Sequence, residues 1–376
     1  RERREDLIEA GREELTRELR KERLPVNRVL EAAPMREEMR NFLGRVADYT
    51  LTPMPAMLRL ATRAPGLGDA PSMRKVYRLG DAAPERLTEA RARVLEVLRD
   101  YGGLSFTLGE LAEAAGVGTS VVKGLVTQGA VREEDTPRDT PYPALDPDLA
   151  GKSLADDQAA SAEILREGVR SGRYGTTLLQ GVTGSGKTEV YLEAVAECLR
   201  QGRQALVLLP EIALTNEFIH RVEARFGMPP AEWHSGVTLT ERRRCWRMVG
   251  QGAAQLVVGA RSALYLPFRD LGLIVVDEEH DTSYKQEDGV VYNARDMAVL
   301  RASLNEAQVV LASATPSLES WANAQAGKYT KLELKSRFGP AVMPTMGTID
   351  IRTEGLSSDR WITPTLKHEV DARMAK

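Results

Sequence analysis

The chain has 376 residues, of which 42% are hydrophobic, so it is long enough for two or three domains with ordinary cores. Its formal net charge of −3 excludes a global basic field, and any contact with DNA must therefore come from local patches. The only two cysteines, Cys198 and Cys245, are far apart, which excludes a disulfide scaffold or a cysteine zinc cluster within these residues and fits a reducing cytoplasm.

The N-terminal segment is dense in arginine and glutamate. Residues 1–27 predict a solvated charged helix that belongs to no assigned domain. Residues 35–63 predict a helical segment interrupted at Pro53–Pro55, and the Gly- and Pro-rich residues 64–71 predict a loop. The chain starts with Arg1 and ends inside a predicted helix, so we expect it to be a piece of a longer protein.

Residues 81–134 predict a winged helix-turn-helix. The predicted elements are a helix over 85–100, a helix over 108–115 capped by Thr107, a helix capped by Thr119 or Ser120 that runs to residue 128, and a strand over 130–133. Such a module often binds DNA through its third helix, but here that helix carries Lys123 as its only base. DNA contact and a role as a protein-contact or spacer module therefore both remain open.

The pattern of predicted secondary structure changes after residue 150. Residues 135–150 hold four prolines and predict a stiff linker. Beyond them, apolar strands alternate with helices, which predicts a parallel sheet covered on both faces. The predicted strands are 176–180, 205–209, 255–258, 273–277 and 309–312, and the predicted helices are 188–201, 212–226 and 294–303.

Residues 181–188, GVTGSGKT, match the P-loop pattern between an apolar strand and a helix. Glycines let backbone N–H groups approach phosphate oxygens, and the following helix N-terminus favours an anion. We expect Lys187 to contact the β- and γ-phosphates and the Thr188 hydroxyl to bind Mg²⁺. The alternative is a Gly-rich turn without a ligand. The predicted ATP-binding residues are Gly181, Val182, Thr183, Gly184, Ser185, Gly186, Lys187 and Thr188.

Residues 273–280, LIVVDEEH, supply a second motif about ninety residues later. An apolar strand that ends in a carboxylate would place Asp277 beside the P-loop as a Mg²⁺ ligand, and Glu278 can act as the general base for the attacking water. The alternative is that both carboxylates cap a helix N-terminus. We expect Lys187, Asp277 and Glu278 to be the catalytic residues.

The order of short motifs resembles the superfamily-two helicases. Residues 209–215 resemble motif Ia, residues 259–263 motif Ib, Asp277–His280 the Walker B box, and Ser313–Thr315 motif III. Residues 281–296, DTSYKQEDGVVYNARD, resemble the aromatic-rich loop of the bacterial replication-restart helicases, the primosomal protein N-prime family. The resemblance covers about residues 28–376.

This resemblance implies an order of domains. Residues 28–80 resemble the end of a domain that binds DNA 3′ ends, 81–134 its winged helix, 151–345 a RecA-like P-loop helicase lobe one, and 346–376 the start of lobe two. The start of the first domain and most of the second lobe have no counterpart in this sequence. The family's zinc-binding cysteines would lie in the missing C-terminal part, so no zinc site is carried over.

The resemblance also implies a function. It implies an ATP-dependent 3′-to-5′ DNA helicase that uses ATP and Mg²⁺, acts in the cytoplasm, and assembles the primosome at stalled forks. The implied partners are single-stranded and forked DNA, other primosome proteins and single-strand binding protein. Gln158 resembles a glutamine that reads adenine in related helicases; the alternative is an ordinary surface helix residue. A nucleotide-binding DNA scaffold without independent unwinding is the alternative function.

DNA contact requires cations for phosphates and flat groups for bases. Residues that follow the motif strands supply both, and a parallel sheet meets its ligands at the carboxyl ends of its strands. The tyrosines could instead only pack the loop. The candidates for DNA binding or coupling are Arg261, His280, Tyr284, Lys285, Ser313 and Thr315, with Tyr265, Tyr292 and Arg295 as further candidates.

Two other P-loop classes fit less well. A transporter-type ATPase would carry an LSGGQ-like signature before its Asp-Glu box, and this sequence has none. A P-loop kinase would lack Ser313-Ala314-Thr315.

Overall fold

The computed structural model describes residues 35–64, 66–67, 72–100, 106–213, 215–335, 347–354 and 362–374. The charged helix predicted over residues 1–27 lies outside these ranges. No helix in the described part of the chain is both long enough and apolar enough to cross a membrane.

A seven-stranded parallel sheet forms the centre of the molecule. Its strands are β3 (Gly175–Gly181), β4 (Gln204–Leu208), β5 (Ala231–Trp233), β6 (Leu256–Gly259), β7 (Leu271–Asp277), β10 (Gln308–Ser313) and β11 (Thr330–Leu334). They lie side by side in the order β11-β3-β10-β7-β4-β6-β5. The inner strands are buried on both faces, which explains why they are nearly continuous apolar runs rather than alternating ones.

Helices cover both faces of this sheet. One face packs against α6 (Asp156–Arg170), α7 (Lys187–Arg200) and α8 (Asn216–Phe226). The other packs against α1 (Glu37–Thr50), α2 (Met54–Ala61), α9 (Leu239–Gln251) and α10 (Ala294–Leu304). Helix α11 (Leu318–Gln325) follows β10, and α12 (Pro364–Met374) has no buried residue. The predicted α/β lobe with a parallel sheet is therefore confirmed.

Several elements of this lobe were not predicted from the sequence, among them α6, α11, β5, β11 and α9. Strand β5 has three residues, too few for a periodic pattern, and edge strand β11 includes the charged residues Lys331 and Glu333. Helix α9 contains four arginines in thirteen residues, and it was not predicted. The helix predicted over 212–226 instead begins with a 3₁₀ turn at Glu211–Ala213, and α8 starts after its cap, Thr215.

The structure divides residues 28–80 differently from the sequence prediction. The predicted helical break is present, because α1 ends at Leu51 in the left-handed region and α2 starts after Pro53. Both helices bury apolar side chains in the core of the sheet lobe, where the Phe42 ring lies 5.6 Å from that of Tyr265. Residues 37–61 are therefore packed as part of the sheet lobe rather than as a separate domain.

A small module precedes the lobe. Strands β1 (Met73–Leu79) and β2 (Val131–Pro137) pair in antiparallel register along their whole length, so the predicted boundary between residues 80 and 81 separates two paired strands. Helices α3 (Glu89–Asp100), α4 (Leu108–Ala114) and α5 (Thr119–Thr127) enclose their own core against this pair. The winged-helix assignment stays a prediction.

The caps of this module agree with the sequence in one place and differ in another. Thr107 and Glu110 form a reciprocal capping box at the start of α4. Helix α5, by contrast, is preceded by Gly118, and neither Thr119 nor Ser120 is its N-cap. Lys123 is an exposed base on this helix.

The segment predicted as a linker over 135–150 is packed against the lobe. Its first residues complete β2. Asp139 is buried and accepts hydrogen bonds from Arg243 at 3.1 Å and Arg247 at 2.9 Å, and Leu145 enters the core under α7. The segment has no regular secondary structure after residue 137, but it is anchored at both of these points.

Candidate nucleotide-binding site

The P-loop connects β3 to α7 at the carboxyl edge of the sheet. Gly184 and Gly186 have φ angles of +80° and +81°, a backbone region that side-chain-bearing residues rarely adopt. A Cβ atom at Gly186 would lie 2.4 Å from Nε2 of Gln158. These two glycines therefore permit both the turn and the close approach of its neighbours.

A cleft of about 290 Å³ opens above this loop. It brings together the two motifs that the sequence identified separately, because Lys187 and Thr188 line it together with Asp277 and Glu278. Its lining residues are Lys152, Ser153, Leu154, Gln158, Thr183, Gly184, Ser185, Gly186, Lys187, Thr188, Glu189, Arg221, Asp277 and Glu278. Gly181 and Val182, which were also predicted, do not line the cleft; they directly precede the P-loop residues that do.

Lys187 begins α7 and is mostly buried. Its Nζ atom donates a 2.8 Å hydrogen bond to the carbonyl oxygen of Gly181, across the loop. The Ser185 hydroxyl is buried in the loop without a hydrogen-bond partner among the described residues. The loop thus holds a cation and an unsatisfied polar group, which is the chemistry that phosphate oxygens require.

Gln158 is buried in α6, so the alternative of an ordinary surface helix residue is wrong. Its Nε2 donates a 2.8 Å hydrogen bond to the carbonyl oxygen of Ser185, and its Oε1 accepts one of 2.9 Å from the N–H of Ala155. The side chain therefore braces the P-loop from the side of the cleft that Leu154 lines. Each amide atom keeps one further hydrogen-bonding position for a ligand.

Asp277 ends β7 and is buried. Its Oδ2 accepts a 2.8 Å hydrogen bond from the Tyr191 hydroxyl, and its Oδ1 accepts one of 3.0 Å from the N–H of Glu278. Burial raises the pKa of Asp277 to about 6, and the charge of Glu278 acts in the same direction, whereas the hydrogen bond from Tyr191 opposes both. Tyr191 was not predicted as a site residue, because an aromatic residue on a helix after a P-loop looks like ordinary core.

Glu278 starts a tight turn after β7 and has a φ angle of +45°. Its side chain is 40% exposed and lines the cleft, so water can reach the carboxylate. The carbonyl oxygen of Glu278 accepts a 2.8 Å hydrogen bond from the N–H of Asp281, which closes the turn. The carboxylates do not cap an α-helix, since only a 3₁₀ turn at Thr282–Tyr284 follows, and it is capped by Asp281.

His280 joins this turn to the end of β10. Its Nδ1 lies 2.8 Å from the Ser313 hydroxyl oxygen, and that oxygen also accepts a 3.1 Å hydrogen bond from the N–H of Thr315. Because strands β7 and β10 are neighbours in the sheet, the two predicted motifs meet at their carboxyl ends. Ser313 is fully buried, whereas Thr315 is exposed.

The predicted DNA-binding aromatics lie inside the protein. The exposed fractions of Tyr265, Tyr284 and Tyr292 are 1%, 1% and 4%, so their rings cannot stack on bases in this conformation. The expectation that these three rings stack on DNA bases is therefore wrong for this conformation: Tyr284 and Tyr292 pack the loop, and Tyr265 packs against Phe42 and Tyr292. Tyr265 and Tyr292 contact each other edge to face at 5.3 Å.

Arg295 is also enclosed, since its side chain is 8% exposed and pairs with Glu279 and Asp296. Arg261 is partly exposed, and its guanidinium donates to the carbonyl oxygens of Ser283 at 2.7 Å and Lys285 at 3.0 Å. Lys285 is the exposed cation of the loop, with a side chain 59% exposed and paired only with Glu287 among the described residues. Its strand, β8 (Lys285–Gln286), forms a short hairpin with β9 (Tyr292–Asn293).

The sequence also overlooked Glu279 as a candidate. It lies between Glu278 and His280, and its side chain is fully enclosed, where it accepts hydrogen bonds from the residues that begin α11. A glutamate within a run of charged residues is normally expected to be exposed to solvent. Only the three-dimensional contacts show that Glu279 is buried.

Comparison with known proteins agrees with this geometry. The family of DEAD/DEAH box helicases matches residues 156–324. The replication restart protein PriA of Bacillus subtilis (strain 168) is 40% identical over 260 residues, which cover 69% of this chain and 32% of that protein. PriA of Rickettsia conorii (strain ATCC VR-613 / Malish 7) is 45% identical over 213 residues, covering 57% of this chain and 32% of that protein.

A third relative extends the match further along the chain. PriA of Synechocystis sp. (strain ATCC 27184 / PCC 6803 / Kazusa) is 38% identical over 301 residues, which cover 78% of this chain and 36% of that protein. The chain thus spans about a third of the length of the curated relatives that it matches. The P-loop, the Asp-Glu-Glu-His turn and these matches together show that the chain corresponds to part of a replication restart protein PriA and contains a DEAD/DEAH box helicase region.

Proposed function

We propose that this chain forms the ATP-binding motor lobe of an ATP-dependent DNA helicase of replication restart, which translocates 3′-to-5′ on single-stranded DNA. The observation that carries the proposal is the single cleft in which Lys187 of the P-loop and the Asp277–Glu278 turn lie together. In addition, the hydrogen bond between His280 and Ser313 connects that turn to the carboxyl end of β10.

The cleft fits a nucleoside triphosphate. Lys187 can exchange its bond to the Gly181 carbonyl for the β- and γ-phosphates, and the buried Ser185 hydroxyl can donate to the same anion. Gln158 keeps one N–H and one lone pair for the adenine edge while it braces the loop.

Two residues are suited to hold a magnesium ion. Thr188 and Asp277 line the same cleft, and Mg²⁺ typically takes one or two protein ligands together with phosphate oxygens and water. The described residues contain no group of three or more His, Cys, Asp or Glu side chains that could enclose a metal. When bound, the ion neutralises charge on the phosphates.

Glu278 is suited to act as the general base. Its carboxylate is half-exposed at the cleft wall, where it can orient a water molecule and accept its proton. The left-handed backbone of Glu278 turns this side chain away from the line of β7 and into the cleft.

DNA is proposed to reach the site through the edge that carries Arg261 and Lys285. Arg261 braces the hairpin that follows the Walker B turn, and Lys285 offers an exposed cation for a phosphate. Separately, the hydrogen bonds of Ser313 with His280 and Thr315 connect the end of β10 to the turn that carries Glu278, so movement of β10 can reach the base. The proposed partners are single-stranded and forked DNA, single-strand binding protein and other primosome proteins in the cytoplasm.

ATP hydrolysis with and without single-stranded DNA tests the proposal. In the full-length protein, we expect DNA to stimulate turnover, and Glu278→Gln to slow it by roughly 10²- to 10⁴-fold while Mg-nucleotide binding is kept. Glu189→Gln is the control, because it changes another carboxylate of the same cleft that pairs with Lys152. Binding of both nucleotide and DNA without any DNA-dependent turnover would instead favour the nucleotide-binding scaffold.

A further inference from the structure

Glu279 lies one residue beyond the proposed base, yet it points away from the cleft. Its side chain has an exposed fraction of 0%. Oε1 accepts a 2.6 Å hydrogen bond from the N–H of Ser317, and Oε2 accepts bonds from the hydroxyls of Ser317 at 2.9 Å and Ser320 at 2.8 Å. The charge is met by Arg295, whose Nη1 lies 3.4 Å from Oε2.

These contacts connect three elements that do not adjoin in sequence. Ser317 and Ser320 begin α11, and Arg295 begins α10 directly after the β8–β9 hairpin. Arg295 also donates a 2.6 Å hydrogen bond to the Ser317 hydroxyl. A buried carboxylate is tolerated only when such donors and a cation compensate its lost hydration. The cluster therefore fixes the position of Glu279 tightly.

The residue that this cluster would hold in place is strained. A left-handed backbone costs a residue with a side chain about 1–2 kcal/mol, and Glu278 has a φ angle of +45°. Such a conformation persists only where its surroundings determine it. The N–H of Glu279 donates a 3.0 Å hydrogen bond to the carbonyl oxygen of Ala312, so backbone and side chain of Glu279 are both anchored immediately after the strained residue.

We propose that Glu279 is a positioning residue for ATP hydrolysis: through its bonds to Ser317, Ser320 and Arg295 it holds Glu278 in the left-handed conformation that directs the base into the cleft. This inference rests on the proposed function, in which Glu278 is the base. Glu279 itself is not among the residues that line the cleft.

Glu279→Gln tests this role, because it keeps the size of the side chain. Whichever way the new amide points, its NH₂ group faces a donor: the Ser317 N–H on one side, or Arg295 on the other. By hydrogen exchange, we expect the amides of Glu279 and Asp281 to exchange at least about tenfold faster, the change expected for about 1.4 kcal/mol. Those within β7 should be unchanged.

Enzyme kinetics supply the second readout. If Glu279 only positions the general base, kcat for ATP in the full-length protein should fall at least about tenfold, while KM and the affinity for Mg-ADP stay within about threefold of wild type. Mg-ADP affinity, measured by calorimetry, also separates this inference from the wider proposal. Absence of Mg-ADP binding by the wild-type chain would overturn the proposed function, whereas Mg-ADP binding that wild type keeps and Glu279→Gln loses would overturn only the positioning role of Glu279.

Glu319→Gln is the matched control. Glu319 also faces Arg295, at 3.5 Å, but it is 70% exposed and does not contact the turn, so it should change neither readout. Ser320→Ala is the milder variant should Glu279→Gln fold poorly, because it removes only one of the hydrogen bonds to Glu279. Ser320→Ala should increase the amide exchange rates of the turn and lower kcat, both by smaller factors than Glu279→Gln.

Two further results would overturn the proposal. One is that Glu279→Gln and Ser320→Ala have the same amide exchange rates and the same kcat as the control Glu319→Gln. The other is faster exchange spread evenly over β7 and β10 together with a lower melting temperature and an unchanged kcat, which would make Glu279 a stabilising residue only.

Discussion

The Tyr284 hydroxyl lies 2.6 Å from the backbone carbonyl oxygen of Asp277, to which it donates a hydrogen bond. It also lies 3.0 Å from the carbonyl oxygen of Leu208. Tyr284 thus links the start of the hairpin loop to the ends of β7 and β4. The sequence suggested this ring as a surface for DNA bases, whereas its position makes it an internal support of the nucleotide site.

Tyr284 and its neighbour Lys285 should therefore respond differently to truncation. Tyr284→Ala removes a fully buried aromatic ring and should lower the free energy of unfolding by about 3–5 kcal/mol. Lys285→Ala changes an exposed side chain and should stay within about 0.5 kcal/mol of wild type. Chemical denaturation measures both.

Binding of a labelled single-stranded oligonucleotide should show the opposite pattern for Lys285. Lys285→Ala should weaken binding and reduce its salt dependence, because one phosphate contact is lost. Full stability of Tyr284→Ala together with a selective loss of DNA binding would restore the base-stacking interpretation.

The raised pKa of Asp277 predicts a pH-dependent stability in nucleotide- and metal-free protein. Its pKa is about 6 in the folded chain, above its ordinary value of 3.8, because burial disfavours the charged form. Its contribution to stability is therefore complete below about pH 4 and is lost as the pH rises through 6. Ionised Asp277 opposes folding at neutral pH.

Asp277→Asn should consequently raise the free energy of unfolding at pH 8, by at most about 3 kcal/mol, and this gain should disappear below about pH 4. Denaturant titrations at several pH values in the presence of a chelator measure the effect. The exposed Asp288→Asn is the control and should show no such trend. A gain that is the same at pH 4 and pH 8 would contradict the assigned ionisation.

Gln158 stabilises the P-loop and is also proposed to contact the adenine base. Gln158→Ala removes the 2.8 Å bond to the Ser185 carbonyl, so the affinities for Mg-ADP and Mg-GDP should both fall. If the amide also reads adenine, the loss should be larger for ADP by about threefold to tenfold, the scale of about one hydrogen bond. An equal loss for the two nucleotides, measured by calorimetry, would leave Gln158 as a brace alone.

The chemistry of the site was predictable because both motifs occupy strand ends. An apolar run followed by GVTGSGKT, and another that ends in Asp277, can meet only at one edge of a parallel sheet, and the structure brings them into one cleft. Short motifs with fixed backbone requirements carry their local geometry with them. The tie between His280 and Ser313 follows the same logic, since their strands are neighbours.

Burial was not predictable to the same extent. Tyr284 and Glu279 occur in a polar stretch, DEEHDTSYKQ, which looks like a surface loop, yet long-range packing encloses both side chains. The attachment of α1 and α2 to the motor lobe depends on contacts such as the Trp246 Nε1 hydrogen bond to the Ala61 carbonyl at 2.8 Å, across 185 residues of sequence. No local sequence pattern indicates a contact between residues so far apart in the chain.

Calorimetry of Mg-ATP binding to the chain and to Lys187→Ala tests the central claim most directly. The wild-type chain should bind one Mg-ATP, and the variant should bind at least about tenfold more weakly, the scale of 1.4 kcal/mol, because the cation facing the phosphates is lost. Lys152→Ala, which removes an exposed cation from the rim of the same cleft, should cost much less. Equal affinity of the wild-type chain and Lys187→Ala would contradict the assignment of this cleft as the ATP site.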